Sequence, residues 1–260
     1  MVVLSVVFFL LAAVCAMLGV GGGIVYVPTL LLTGHDMHWS VTASLATILA
    51  GSSSAASVYL LRKEADLPLA LMLEPPTMLM SFLGGLLSAH VSSTFLQAIL
   101  GSVVLGGSYA MWKKKRLLTS KDGTHRWGTW TRVRGAATYH VWLPAVLPAV
   151  AAVGLLSGLV GVTGGFLKVP ILVLLCAVPM HTAVATSTVM VVFTALGGLA
   201  GHVTQETVNW LVLIPLAIAV ILGGQLGSRL VNKVNGATLR LVFAGLLALV
   251  GLRILILALW

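Results

Sequence analysis

Charge is what this chain has least of. Of its 260 residues, six are acidic and fifteen basic, 8% in all, against about 25% in ordinary soluble domains. So little charge cannot cover a surface that faces water, which excludes a soluble globular protein. The shortage of acids excludes more. No carboxylate cluster is available for a Mg²⁺, Ca²⁺ or Mn²⁺ pathway, so no metal site is expected. His-Glu-x-x-His and Gly-x-Ser-x-Gly are both missing, and with them the usual marks of a hydrolytic enzyme. Neither enzyme activity nor a cofactor is expected. The two cysteines, Cys15 and Cys176, lie inside apolar runs and give no disulfide framework. Val14 before Cys15 is not small and no basic stretch precedes it, so a retained membrane segment is expected there rather than a cleaved leader.

What the chain does have is apolar length. Hydrophobic residues make up 59% and the mean hydropathy is +1.08. Spans of roughly 20 apolar residues suit a bilayer. There the backbone must satisfy its own hydrogen bonds, which leaves helices or a closed barrel. Long runs without period-2 alternation select helices. The expected fold is an all-α integral membrane protein. Its blocks are Val2–Leu32, Val41–Leu61, Leu67–Ala89, Phe95–Trp112, Val141–Leu175, Ala183–Val203, Val208–Val231 and Ala237–Leu259. Between them, Lys113–His140 holds eight of the fifteen basic residues. A basic stretch between apolar blocks reads as a cytoplasmic loop, not as a nucleic-acid surface. Residues 1–112 are therefore expected as a first membrane repeat, 113–140 as a basic linker and 141–260 as a second repeat.

The halves repeat each other. Gly19-Val-Gly-Gly-Gly-Ile-Val-Tyr-Val-Pro28 aligns without a gap on Gly161-Val-Thr-Gly-Gly-Phe-Leu-Lys-Val-Pro170. His38-Trp-Ser-Val-Thr-Ala-Ser44 then aligns with His181-Thr-Ala-Val-Ala-Thr-Ser187, and Gly84-Gly85 with Gly223-Gly224. Equivalent loops carry opposite bias. Arg62 and Lys63 follow the second block, where the other half has only Glu206; Arg229, Lys233 and Arg240 follow the third block of the second half, where the first half has no basic residue. Opposite bias predicts opposite orientation. The prediction is two inverted-topology repeats of about four helical segments each, with glycine-broken or re-entrant first helices.

Glycine pairs such as Gly84-Gly85, Gly106-Gly107, Gly197-Gly198 and Gly223-Gly224 suit close helix packing. Gly21-Gly22-Gly23 and Thr163-Gly164-Gly165 are different, because Pro28 and Pro170 follow and proline removes a further backbone donor. Each reads as an unwound segment. A helix beginning there offers free N–H groups and a positive dipole end. Two such ends near the midplane would make an anion site.

Several side chains could complete that site. Lys168 lies in an apolar run, where a charge needs a partner or a function. It reads equally as a cavity cation or as a lysine snorkelling to an interface. Ser44, Thr186 and Ser187 either bond their own helices or donate to an oxyanion. Gln225, beside Gly223-Gly224, is a further polar candidate. His38, His181 and His202 are surface histidines or proton-coupling groups. Glu74, acidic within an apolar block, pairs with a base or carries a proton.

The repeated Gly-Val-Gly-Gly-Gly-x-x-x-Val-Pro pattern, followed by histidine and then Ala43-Ser44 or Ala185-Thr186-Ser187, resembles the TauE/SafE family of sulfite exporters. The resemblance runs from Gly19 to Arg253. It implies a secondary transporter of the bacterial inner membrane that exports sulfite, an organosulfonate or a related sulfur anion by alternating access. The cargo would lie between two inverted halves. Uptake of a small oxyanion and a non-transporting membrane scaffold are the rival readings. The expected partners are a small anion and the lipid bilayer, with a homodimer left open.

Overall fold

The computed structural model describes residues 2–34, 37–87, 93–113, 127–134, 137–160, 164–202 and 210–259. It is a multi-pass bundle of helices. The first half contributes α1 (Val2–Leu18), α2 (Gly23–Leu32), α3 (Met37–Leu61), α4 (Leu67–Leu87) and α5 (Ser93–Trp112). The second half contributes α6 (Leu143–Val160), α7 (Gly165–Leu174), α8 (Met180–His202), α9 (Trp210–Leu230) and α10 (Gly236–Leu259). Among the described residues, five helices are long and apolar enough to cross a membrane. Each first block is split in two, so a half holds five helices rather than four.

The stretch expected as linker ends in an antiparallel hairpin, β1 (Thr129–Arg134) and β2 (Ala137–Trp142), which runs two residues into the block expected from Val141, with Thr131 opposite His140 and Arg132 opposite Tyr139. Alternation explains it. Tyr139 and Val141 are buried while Thr138 and His140 are exposed, the period-2 pattern of a half-covered strand.

The halves are interlocked. The most extensive packing joins α1 to α9, α4 to α6 and α5 to α10. Exchanging the halves turns the first of these pairs into the second and leaves the third unchanged. Glycines set the approach. A Cβ on Gly223 would lie 2.3 Å from the Phe9 carbonyl oxygen, and one on Gly227 would lie 2.0 Å from that of Ala13. Gly84 meets the Leu155 carbonyl at 2.4 Å and Gly154 that of Thr77 at 2.3 Å in the same sense. These distances admit no side chain, so backbone packs on backbone. Gly106 and Gly107 do not fit this expectation. A Cβ on Gly106 would meet nothing within 4 Å, and one on Gly107 only Pro170 at 3.9 Å.

The same contacts give direction. Phe9 and Ala13 meet Gly223 and Gly227 in order, so α1 and α9 run parallel. Two pairs at corresponding places in the halves run antiparallel. Gly101 packs on Gly251 and Leu255 while the Ser108 hydroxyl donates to the Ala244 carbonyl at 2.7 Å, which opposes α5 and α10. Leu45 packs on Gly198, whereas Ile48 and Ser52 share a cavity with Thr188, which opposes α3 and α8.

One end of the bundle collects the charge. The α3–α4 turn holds the hairpin through Asp66 and the end of α9 through Glu64, whose Oε1 accepts from Asn232 Nδ2 at 2.5 Å. His181 at the start of α8 bonds the Val234 carbonyl at 2.9 Å, just before α10. The antiparallel α5–α10 pair brings Lys113 to the same end. Eight of the ten described basic residues are there: Arg62, Lys63, Lys113, Arg132, Arg134, Arg229, Lys233 and Arg240. Lys168 and Arg253 are the others.

Candidate functional site

The site begins where α1 stops. Gly19 has φ +70, and the Val20 N–H bonds back to the Cys15 carbonyl at 3.1 Å. A left-handed residue with such a six-residue return closes a helix. Gly21 and Gly22 keep φ at +81 and +87, so the chain cannot resume a right-handed helix before Gly23. Gly22 then accepts from the Val25 and Tyr26 amides at 2.9 Å and starts α2. The first amides of such a helix have no partner within it. Phe8 of α1 stacks on Tyr26 of α2, with ring centroids 4.8 Å apart, so α2 folds back along α1.

The second break mirrors this with different backbone. Gly164 has φ −64 and accepts from the Leu167 and Lys168 amides at 3.0 Å to start α7. Thr163 lies outside the described residues. A Cβ on Gly164 would lie 2.3 Å from Ser157 Oγ, and one on Gly165 would lie 2.6 Å from the Val20 carbonyl oxygen. The second break is therefore seated on the first.

Ser187 joins them. From α8, its hydroxyl is 2.9 Å from the Gly19 carbonyl and 3.3 Å from that of Gly165. Its neighbour Thr186 is also buried, and Thr186 Oγ1 accepts from the Asp66 amide at 2.9 Å. Thr47 and Thr188 instead bond carbonyls one turn back, at 2.9 Å, the local use of a hydroxyl. Ser40 and Ser44, one turn apart on α3, are buried, and their hydroxyls have no partner among the described residues. Between Gly21, Tyr26, Cys15, Ser52 and Thr188 is a cavity of 10 Å³, room for about one water.

Lys168 reaches no interface. Its side chain is fully buried, and Nζ lies 3.0 and 3.2 Å from the Glu74 carboxylate and 2.5 Å from Thr194 Oγ1. The Thr194 hydroxyl bonds Glu74 in turn. Buried charges are tolerated when paired and hydrogen-bonded, and here the pair ties α4 of one half to α7 and α8 of the other. The long lysine stem runs back toward the start of its helix, away from the basic end.

Two of the remaining candidates have partners of their own. Gln225 is half-buried, and its Oε1 accepts from Arg229 Nη2 at 3.3 Å. His181 Nε2 bonds the Val234 carbonyl. The side chains of His38 and His202 lie outside the described residues.

Sequence reasoning missed Asp66. It caps α4, Oδ1 accepting from the Leu69 amide at 3.3 Å. It also holds the hairpin. Arg132 donates from Nε at 3.1 Å and from Nη2 at 2.5 Å, and the Tyr139 hydroxyl adds a third bond. Burial pushes the carboxyl upward, yet the bonds from Arg132, Tyr139 and the Leu69 amide outweigh it and hold Asp66 below its ordinary range. Arg134 donates to the carbonyls of Lys63, at 2.8 Å, and Ala65. A run of bonds thus leads from the hairpin through Asp66 to Thr186, beside the serine that joins the breaks. The alternating Thr129–Arg134 stretch was the signal for it.

Comparison with known proteins points to a family of membrane transporters. The family model for sulfite exporter TauE/SafE matches residues 4–254. A probable membrane transporter protein of Bacillus subtilis, YunE, is 27% identical over 98% of this chain and 97% of its own length. One from Methanocaldococcus jannaschii is 23% identical over 97% and 94%, and YfcA of Escherichia coli K12 is 26% identical over 88% and 80%. No solved structure matches the chain.

Proposed function

The chain belongs to the sulfite exporter TauE/SafE family of membrane transporters, and we propose that it exports sulfite or a related sulfur anion across a bacterial inner membrane by alternating access. The observation that carries this reading is the meeting of the two breaks. One serine hydroxyl addresses a carbonyl of each, so two helix starts from opposite halves converge at one place. Their first amides supply donors and positive dipole ends for an oxyanion. Ser187 and Thr186 stand beside these starts, and the unpartnered hydroxyls of Ser40 and Ser44 add donors along α3. Lys168 is neutralised by Glu74 and acts as a tie between the halves.

The antiparallel course of α3 against α8 and of α5 against α10 supports an inverted repeat. Inversion gives two equivalent half-turned states, one open to each side. The 10 Å³ cavity is the closed form between them, and an anion enters when the bundle parts. By the positive-inside rule the basic end faces the cytoplasm. An inside-negative potential then favours anion exit by about 2.3 kcal/mol per charge per 100 mV.

Proteoliposomes test this. Vesicles loaded with sulfite, methanesulfonate or thiosulfate should lose the cargo through the protein, faster when a potassium gradient with valinomycin makes the lumen negative. No movement of any of these anions under either polarity would overturn the reading.

A further inference from the structure

A second cavity lies at the basic end, away from the breaks. It measures 430 Å³ and is bordered by the end of α7 and the starts of α8 and α10. Its wall is mostly apolar, with Leu174, Val178, Pro179 and Met180. Two basic side chains border it, His181 and Arg240.

Their situations differ. A carbonyl oxygen can only accept, so His181 Nε2 is the donor in its 2.9 Å contact with Val234. That imidazole is committed to holding the α9–α10 turn. Arg240 is not committed. Its Nε is shut off from solvent, and among the described residues that Nε has no hydrogen-bond partner and the side chain forms no ion pair. A guanidinium cannot shed its charge and presents donors in a planar fork that matches an oxyanion. Arg240 as a whole is half-buried and borders the cavity, so its unpaired guanidinium suits an anion held there. The apolar wall asks for carbon. The start of α10, opening on the same cavity, adds a positive dipole end.

We propose that this cavity binds a phosphate ester or a sulfonate, its oxyanion on Arg240 and its carbon chain along the Leu174–Met180 wall. An anionic phospholipid and a small free anion both offer this chemistry. The site is separate from the one between the breaks and does not depend on the transported species.

Native mass spectrometry of the full-length protein tests it, with phosphatidylglycerol as probe and methyl phosphate as competitor. Wild type should retain the lipid. Arg240→Gln should weaken retention about tenfold, the scale of one charge-assisted contact. Arg229→Gln, which changes an exposed arginine bonded to Gln225, should retain it. Ala237→Trp keeps Arg240 and fills the exposed rim of the cavity, so it should also lose the lipid even if Arg240→Gln folds poorly. Displacement by methyl phosphate would support the site and mark a small anion as its source. Resistance to displacement would support it with a lipid as the source. Equal retention by wild type, Arg240→Gln and Ala237→Trp, or retention of neither probe by wild type, would overturn the proposal.

Discussion

Removing one member of the Lys168–Glu74 pair should destabilise the protein far more than removing both. The charges are 3.0 Å apart and shut away from solvent. At an effective dielectric of about 20 their attraction is about 5.5 kcal/mol, offset by the cost of desolvating both. Deleting one partner leaves the other charge buried alone, at a cost of about 3–5 kcal/mol. Replacing the pair with apolar residues of similar size is often close to neutral. Lys168→Met and Glu74→Leu should each show the full penalty, and the double variant should recover most of it. Thr194 is not orphaned by the double change, because its hydroxyl also bonds the Met190 carbonyl at 3.1 Å. The assay is the apparent Tm of detergent-solubilised protein. At about 2–4 °C per kcal/mol, each single variant should melt roughly 6–20 °C lower. A double variant that loses the sum of the two single losses would refute the coupling, and with it the view that this pair ties the halves together.

Other outcomes follow from the same contacts. Ser187→Ala should cost about 0.5–1.5 kcal/mol of stability yet abolish sulfite flux in proteoliposomes; unchanged flux would remove the breaks as the cargo site. Gly22→Ala should lower the Tm more than Gly34→Ala. Both glycines have φ +87, but a Cβ at Gly22 falls 2.5 Å from the Tyr26 ring and one at Gly34 meets nothing within 4 Å. Equal losses would mean that backbone strain alone matters. Asp66 sets a pH limit on the hairpin. Its folded pKa is depressed, so its stabilisation is complete above the unfolded value of about 3.9 and is lost as pH falls through the folded one. The fluorescence of Trp130 and Trp142 should stay constant from neutral pH down to that value and change below it; a change near pH 6 would contradict the assignment.

Much of this architecture could be read from residue order. The two breaks and the helical blocks follow from glycine, proline and apolar length, which act over a few residues. The partner of Lys168 was not legible as a pair. Lys168 and Glu74 are 94 residues apart, and either could have met another group. Helix faces were also hidden. In a bilayer the outside is as apolar as the inside, so a membrane helix carries little sign of which side packs. Glycines do carry that sign, but unevenly. Gly223 and Gly84 mark backbone contacts, whereas Gly106 faces open space. The hairpin was obscured by its charge. Arg132 and Arg134 made the stretch read as a solvated loop, although they serve Asp66 and the end of α3.

The exchange of partners between halves has a consequence for synthesis. Phe9 leaves the ribosome 214 residues before Gly223, the residue whose missing side chain receives it. At about 5–20 residues per second, α1 waits roughly 10–40 s for α9. Until α7 and α8 follow, its glycine-broken end has neither the second break nor Ser187 to cover it. The first half is thus born incomplete, and a nascent chain stalled before α8 should be a substrate for quality control, since it lacks both the helix that seats α1 and the serine that closes the break.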